Sequence, residues 1–139
     1  MGRPKVAIVG AGQVGATTAH LLMLKGLADV VLIDVVEGLA QGKALDLLQA
    51  AAIEGQAVTV TGTTDYAAMA GSRLVVITAG LARKPGISRE DLLVANAHIV
   101  GPIAEQIARV APEAIVLVVT NPLDVMTHLV LTLTRFPRQ

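Results

Sequence analysis

The residues from Gly10 to Gly15 read Gly-Ala-Gly-Gln-Val-Gly, a spacing suited to holding a phosphate group. In the pattern G-x-G-x-x-G, the first glycine permits a tight turn and the second lets backbone amides approach a pyrophosphate. The third lets a helix pack closely on a strand, and the start of that helix attracts the anion. The predicted pyrophosphate-binding residues are Gly10, Ala11, Gly12, Gln13, Val14 and Gly15. An ordinary strand-to-helix turn is the alternative interpretation.

A carboxylate supplies the second part of this pattern. Asp34 ends the next apolar run, 24 residues after Gly10, where an acidic side chain accepts hydrogen bonds from the adenosine ribose of NAD. A 2′-phosphate would meet a like charge there, and the two valines that follow offer no cation to offset it. The residue types therefore predict NAD as the cofactor in preference to NADP. A surface carboxylate without a ligand is the alternative for Asp34.

Three cations lie close together on one predicted loop, at Arg83, Lys84 and Arg89, with only neutral residues between them. Arg89 falls in the first turn of a predicted helix, where the helix dipole disfavours a positive charge, so a role other than helix stability is expected for it. The loop follows a predicted strand, beside the crevice in which open parallel sheets bind ligands. It is therefore a candidate to close over an anionic substrate, and a solvated basic loop is the alternative.

The remaining polar candidates are an amide and the histidines. Asn121 follows the last predicted strand, where its side chain could hydrogen-bond a substrate oxygen or a cofactor ribose, although an asparagine before proline also commonly caps a helix. The three histidines, His20, His98 and His128, fall inside predicted helices with no carboxylate partner nearby in sequence. None of them forms a pair with metal-ligand spacing, so no metal site is predicted.

Short apolar runs alternate with stretches of helical spacing along the whole chain. The predicted strands cover residues 5–9, 30–33, 57–61, 74–78 and 115–119. The predicted helices cover 13–25, 38–51, 88–110 and 122–133, with a short helical turn within 62–71. Ser88 and Asp91 have the spacing of a capping box, and Pro102 should kink or divide the third helix. Alternating strands and helices need crossover connections, which predicts an α/β protein with a Rossmann-type, doubly wound parallel sheet of about five strands and helices on both faces.

Composition limits the classes of partner. The 139 residues carry 11 basic and 11 acidic side chains, 53% hydrophobic residues and no cysteine, which predicts one domain without disulfides or thiolate chemistry. Balanced charge argues against nucleic acid and anionic membrane surfaces as partners. No apolar run approaches the ~18 residues of a membrane span, and the first five residues lead into a strand instead of a signal-peptide core. We therefore expect a soluble, cytoplasmic protein that binds neither nucleic acid nor membrane.

Four segments of the chain resemble the lactate/malate dehydrogenase family, most closely the lactate-dehydrogenase-like malate dehydrogenases of bacteria. They are VAIVGAGQVGATTAH (6–20), VVLIDVVEGLAQGKALDL (30–47), ITAGLARKPGISREDLLVANAHIV (77–100) and VVTNPLDVMTHLV (118–130). The resemblance implies an oxidoreductase that transfers a hydride between NAD and malate or oxaloacetate. It also implies that four residues join the glycines and Asp34 in holding NAD: Asn96, Val119, Thr120 and Asn121.

The same resemblance implies roles for three side chains toward the substrate. Arg83 would bind the distal carboxylate of a dicarboxylic 2-oxo or 2-hydroxy acid, because lactate dehydrogenases typically have glutamine there. Arg89 would be both substrate-binding and catalytic, since a cation beside the substrate carbonyl stabilises the negative charge that develops in the transition state. Asn121 would orient the substrate.

Members of the family are much longer than this chain. The resemblance implies that residues 1–139 form the NAD-binding domain, whereas the C-terminal catalytic domain, with its catalytic histidine and the arginine that clamps the substrate carboxylate, is absent. We expect NAD(H) binding with little or no turnover by this chain alone, and a fifth strand whose outer edge is uncovered or paired with another chain. The alternatives are a nucleotide-binding module without turnover and an oligomerisation module in which the helix over residues 38–51 pairs subunits into a homo-oligomer.

Overall fold

The computed structural model describes residues 2–138 and places every predicted strand in one sheet. The strands are β1 (Lys5–Val9), β2 (Asp29–Ile33), β3 (Val60–Thr63), β4 (Leu74–Ile77) and β5 (Ile115–Val118). The helices are α1 (Gln13–Leu24), α2 (Leu39–Ile53), α3 (Arg89–Val110) and α4 (Leu123–Thr134), and a 3₁₀ helix covers Tyr66–Met69. The predicted alternation of strands and helices is confirmed, including the short helical turn before β4.

All five strands are parallel, in the order β3-β2-β1-β4-β5. Strand β1 is central, with Ile8 opposite Leu32 of β2 on one side and Val76 of β4 on the other. The chain builds the sheet outward from β1 in one direction and then from β4 in the other. The order therefore reverses between β1 and β4, and ligands of open α/β sheets bind at such a reversal, outside the carboxyl ends of the strands.

Each face of the sheet carries its own hydrophobic core. Alternate strand residues point to opposite faces, so Ile8 and Leu32 pack beneath α1 and α2, whereas Val9 and Ile33 pack beneath α3 and α4. Helix α2 lies close to the sheet because Gly62 of β3 has no side chain, and a Cβ there would overlap the carbonyl oxygen of Ala40. Helices on both faces confirm the doubly wound, Rossmann-type architecture.

Most predicted bounds agree with the structure to within two residues, but two local predictions differ more clearly. The third strand begins at Val60 instead of Ala57, because the N–H of Thr59 donates to the Asp29 carboxylate (2.8 Å) and the regular pairing with β2 starts one residue later. Pro102 does not divide the third helix, since α3 continues through it as one helix. The missing proline N–H costs one hydrogen bond, but burial of Val100 and Ile103 on either side holds the helix against the core.

Strand β5 forms the outer edge of the sheet, and within residues 2–138 it pairs with β4 alone. Ile115 and Leu117 point outward and are 50% and 51% exposed. They border a groove of about 900 Å³ between β5 and α4. That this edge is uncovered or paired with another chain stays a prediction. Among the described helices, none combines the length and the apolar character needed to cross a bilayer.

Candidate dinucleotide site

The glycine segment forms the turn between β1 and α1 at the carboxyl edge of the sheet. Gly10 has a φ of +106°, a conformation open to glycine, and its N–H donates to the carbonyl of Ile33 (2.7 Å). A Cβ at Gly10 would lie 2.6 Å from the backbone nitrogen of Ala79, and one at Gly15 would overlap the carbonyl oxygen of Gly10. Both positions therefore need glycine: Gly10 for the turn, and Gly15 for packing of the helix on the strand.

Gly12 occupies the N-cap of α1 and leaves the helix end open. No side chain caps this end, no acidic residue lies in the first turn, and a Cβ at Gly12 would have no atom within 4 Å. The first hydrogen bond into the helix runs from the N–H of Ala16 to the carbonyl of Gly12 (3.0 Å). Within residues 2–138, the N–H groups from Gly12 to Gly15 have no partner. These donors and the positive end of the helix dipole suit an anion such as a pyrophosphate.

Asp34 is held beside this turn by backbone hydrogen bonds. Its Oδ2 accepts from the N–H of Ala11 (2.8 Å), and its Oδ1 accepts from the N–H of Val36 (3.0 Å). The side chain is half-buried, and each carboxylate oxygen keeps a lone pair for a further donor. The carboxylate is therefore fixed next to the glycine turn, in the position expected of a group that accepts from a ribose diol.

Tyr66 lies beside Asp34 and was missed by the sequence analysis. It starts the 3₁₀ helix that follows β3 and is half-buried against the core. Burial raises the pKa of the Tyr66 phenol above its ordinary value of 10.0, and the negative charge of Asp34 raises it further. The phenol is thus a neutral O–H donor near the Asp34 carboxylate. In the sequence, only the position of Tyr66 just after the third strand could have pointed to it. That position indicates a place near Asp34 only when β3 is known to pair with β2.

The predicted substrate residues follow β4 and β5, on the other side of the reversal in strand order. Arg83 and Arg89 are exposed, and neither is ion-paired within the described part of the chain. Asn121 is also exposed, and its side chain has no hydrogen bond among residues 2–138. It does not cap α4, whose N-cap is Pro122 without a side-chain hydrogen bond. The loops thus bring two free cations and a free amide to the carboxyl edge of the sheet.

Thr120 and Asn96 differ from the exposed residues around them. Thr120 is buried and donates from Oγ1 to the carbonyl of Ala79 (2.7 Å), while the neighbouring Val119 is 38% exposed. Asn96 of α3 is only 1% exposed, and its carboxamide bonds to the backbone of Leu81 and Asn121. The contact of Asn96 with the cofactor stays a prediction.

The histidines lie on helices, as predicted. His20 is on α1, His98 on α3 and His128 on α4, and all three are exposed. The Nδ1 atom of His98 lies 3.2 Å from the carbonyl of Val94 on its own helix. Over residues 2–138, no group of three or more histidine, cysteine, aspartate or glutamate side chains is arranged to hold a metal ion.

Comparison with known proteins gives consistent matches over nearly the whole chain. Residues 4–139 match the family model described as lactate/malate dehydrogenase, NAD binding domain. The malate dehydrogenase of Desulforudis audaxviator is 55% identical over 138 residues, which are 99% of this chain and 45% of that protein. The crystal structure of Cryptosporidium parvum malate dehydrogenase superposes with a TM-score of 0.94 at 44% identity, covering 98% of this chain and 43% of that one.

A third match is the structure of malate dehydrogenase from Archaeoglobus fulgidus in complex with NADH. It has a TM-score of 0.93 and 46% identity, and the alignment covers 96% of this chain and 46% of that one. The chain described here therefore spans less than half the length of the proteins that it matches.

Proposed function

Because the chain belongs to the lactate/malate dehydrogenase family, as its NAD-binding domain, we propose that it is the cofactor-binding half of a malate dehydrogenase. In this proposal NAD(H) lies across the carboxyl edge of the sheet, at the reversal between β1 and β4. The observation that carries it is the open N-terminus of α1 beside a carboxylate that is already fixed to the glycine turn. An ordinary strand-to-helix turn that binds no ligand would require neither the open space around Gly12 nor a carboxylate held beside the turn.

In this proposal the dinucleotide follows the carboxyl edge of the sheet from β2 to β5. The unpartnered N–H groups from Gly12 to Gly15 would hold the pyrophosphate, and Asp34 would accept from the adenosine ribose with Tyr66 beside it. The nicotinamide end would lie toward Val119 and Thr120 after β5. When bound, NAD supplies the hydride acceptor of the reaction, and the chain itself binds and orients the cofactor.

The substrate side of the proposal rests on the loops after β4 and β5. Arg83 would bind the distal carboxylate of malate or oxaloacetate, Arg89 would lie against the substrate carbonyl, and Asn121 would orient the substrate. The support is that all three side chains are exposed at the carboxyl edge, without an intramolecular partner within the described residues. A guanidinium paired with a carboxylate forms two parallel charge-assisted hydrogen bonds, which suits a dicarboxylic acid.

Residues 1–139 alone are proposed to bind cofactor with little turnover. Reduction of a 2-oxo acid needs a proton donor, and loss of a general acid typically lowers the rate by ~10²–10⁴. The three histidines of the chain are spread over three different helices, and none of them lies in the loops after β4 and β5. Turnover at the rate of a full-length malate dehydrogenase by this chain alone would contradict the proposal.

The experiment that tests cofactor binding is a titration with NADH, followed through nicotinamide emission because the chain has no tryptophan. We expect saturable binding of NADH, much weaker binding of NADPH, and at least about tenfold weaker NADH binding by Asp34→Ala, since a charge-assisted hydrogen bond contributes about 1.5–3 kcal/mol. Asp46→Ala, which removes an exposed carboxylate from α2, is the matched control and should bind like the wild type. Equal affinity of the two variants would refute the role of Asp34.

Self-association through α2 is a second proposed property of this chain. Leu45, Leu48 and Ile53 are 56%, 42% and 87% exposed, and their spacing places them on one side of the helix. Such an unpaired apolar stripe suits the isologous interface of a homodimer. Sedimentation should show a dimer for the wild type and for Leu21→Lys on α1, but a monomer for Leu45→Lys. A monomeric wild type at every concentration would refute this interface.

A further inference from the structure

The carboxamide of Asn96 joins the two loops that carry the proposed substrate residues. Its Oδ1 accepts from the N–H of Leu81 (2.7 Å), in the loop after β4. Its Nδ2 donates to the carbonyl of the same Leu81 (3.3 Å) and to the carbonyl of Asn121 (2.6 Å), in the loop after β5. One side chain from α3 thus holds the backbone of both loops.

The orientation of this amide follows from its partners. Leu81 offers one donor and one acceptor, and Asn121 offers an acceptor, so only one placement of the oxygen and nitrogen satisfies all three. Both hydrogens of Nδ2 are then used, and the side chain is 1% exposed. No amide donor of Asn96 remains free for a cofactor in this arrangement.

Two neighbours complete the connection between the loops. The hydroxyl of Thr120 donates to the carbonyl of Ala79 (2.7 Å), which ties the end of β5 to the end of β4. Gly80 lies between the two ties, where a Cβ would approach Cγ2 of Thr120 to 2.6 Å and Oδ1 of Asn96 to 3.1 Å. Asn96, Thr120 and Gly80 are called the loop clamp below.

We infer that Asn96 is a positioning residue, which acts on cofactor and substrate through the backbone of the two loops instead of by direct contact. The inference rests on the proposed function, because the loops matter only if the crevice binds NAD(H). Leu81 lies in the exposed segment that leads to Arg83, and the side chain of Asn121 is itself exposed. The loop clamp fixes the backbone where both loops begin. It therefore determines where the Arg83 guanidinium and the Asn121 side-chain amide contact a ligand.

Amide hydrogen exchange and NADH binding together test this inference. In Asn96→Ala the N–H of Leu81 loses its acceptor, so its exchange should accelerate by at least about tenfold, and the dissociation constant for NADH should rise by about tenfold. Asn96→Asp keeps the acceptor but loses both donors to the carbonyls. It should leave the Leu81 N–H protected while still weakening NADH binding, because its carboxylate repels both carbonyl oxygens.

Val100→Ala is the matched control, because Val100 is fully buried on the same helix one turn away and does not touch either loop through a hydrogen bond. It should lower stability while leaving both the exchange of Leu81 and the affinity for NADH close to wild type. Equal NADH affinity of Asn96→Ala and the wild type would overturn the inference and leave the proposed function intact. A wild type that binds no NADH would refute the proposed function, and unchanged exchange of Leu81 in Asn96→Ala would separately refute the clamp.

Discussion

Replacing Gly15 by alanine tests whether the third glycine of the motif is required for packing of α1 on β1. The added Cβ would overlap the carbonyl oxygen of Gly10 and lie 2.9 Å from Oγ1 of Thr78. Overpacking of a core typically costs about 1–3 kcal/mol, and a clash with backbone falls at the upper end because backbone cannot rotate away. Alanine in a helix returns about 1 kcal/mol relative to glycine. The expected net loss of unfolding free energy is about 2 kcal/mol, a fall in Tm of about 8 °C for a domain of this size.

Gly42→Ala is the matched substitution on α2. Gly42 lies inside a helix like Gly15, but a Cβ there would have no atom within 4 Å, so only the gain in helix propensity applies. We expect Gly42→Ala to raise the free energy of unfolding by about 0.5–1 kcal/mol. Urea unfolding followed by far-UV circular dichroism measures both variants, and an NADH titration shows whether the glycine turn has moved. Gly15→Ala should also bind NADH at least about tenfold more weakly, because the phosphate-facing amides shift with the turn.

Comparable stability of the two variants would refute the packing argument. A loss of stability in Gly15→Ala with unchanged NADH affinity would show that the turn tolerates displacement, and the assignment of the amide donors from Gly12 to Gly15 would then be wrong. Wild-type NADH affinity in Gly42→Ala is the required control, since α2 contributes no group to the proposed pyrophosphate site.

Three further predictions concern stability and solubility. The raised pKa of Tyr66 means that the folded state holds the phenolic proton more tightly than the unfolded state. Its contribution to stability is therefore complete below the ordinary pKa of 10.0 and is lost as the pH rises through the folded-state pKa. Tyr66→Phe should abolish that loss when the free energy of unfolding is measured against pH. Arg3→Ala should lower the free energy of unfolding by about 1 kcal/mol. The reason is that Arg3 donates to the carbonyls of Gly26 (3.2 Å) and Ala57 and lies 3.7 Å from the Asp29 carboxylate. An unchanged free energy in urea unfolding would refute this. Leu117→Lys should reduce light scattering on heating without changing NADH affinity, because a lysine on an exposed edge strand opposes pairing with another chain; equal scattering would show that β5 is not the aggregating edge.

Much of the fold follows from local signals in the sequence. The apolar runs that became β1 and β2 are bounded by glycine, proline or aspartate, and their residues face helices on both sides, so periodicity alone located them. The bounds of β3 were harder to predict, because they depend on a hydrogen bond between Thr59 and Asp29, which lie far apart in sequence. The continuity of α3 through Pro102 likewise depends on burial against the sheet, which outweighs a local helix-breaking preference.

The candidate site divides in the same way. The glycine turn and the carboxylate that follows β2 are readable because their spacing is set within one β-α-β unit. The hydrogen bond from the N–H of Ala11 to Asp34, which joins them, is seen only in the structure. Tyr66 and the clamp by Asn96 could not be derived from spacing. Tyr66 lies within electrostatic reach of Asp34 because β3 pairs with β2. Asn96 bonds to Leu81 and Asn121 because α3 packs on the core of the sheet face that it shares with α4.

The sequence by itself therefore determined the order of elements, the parallel sheet and the residues whose chemistry suits a dinucleotide, since these depend on short-range periodicity and on local turn geometry. Only the tertiary structure decided which side chains remain free for a ligand and which are used to hold the chain together. Asn121 and Asn96 carry the same carboxamide, yet one is exposed and the other is buried with all its donors used. The physical reason is that hydrogen-bond saturation depends on which backbone groups are brought together by strand order and helix packing, and no local pattern encodes those contacts.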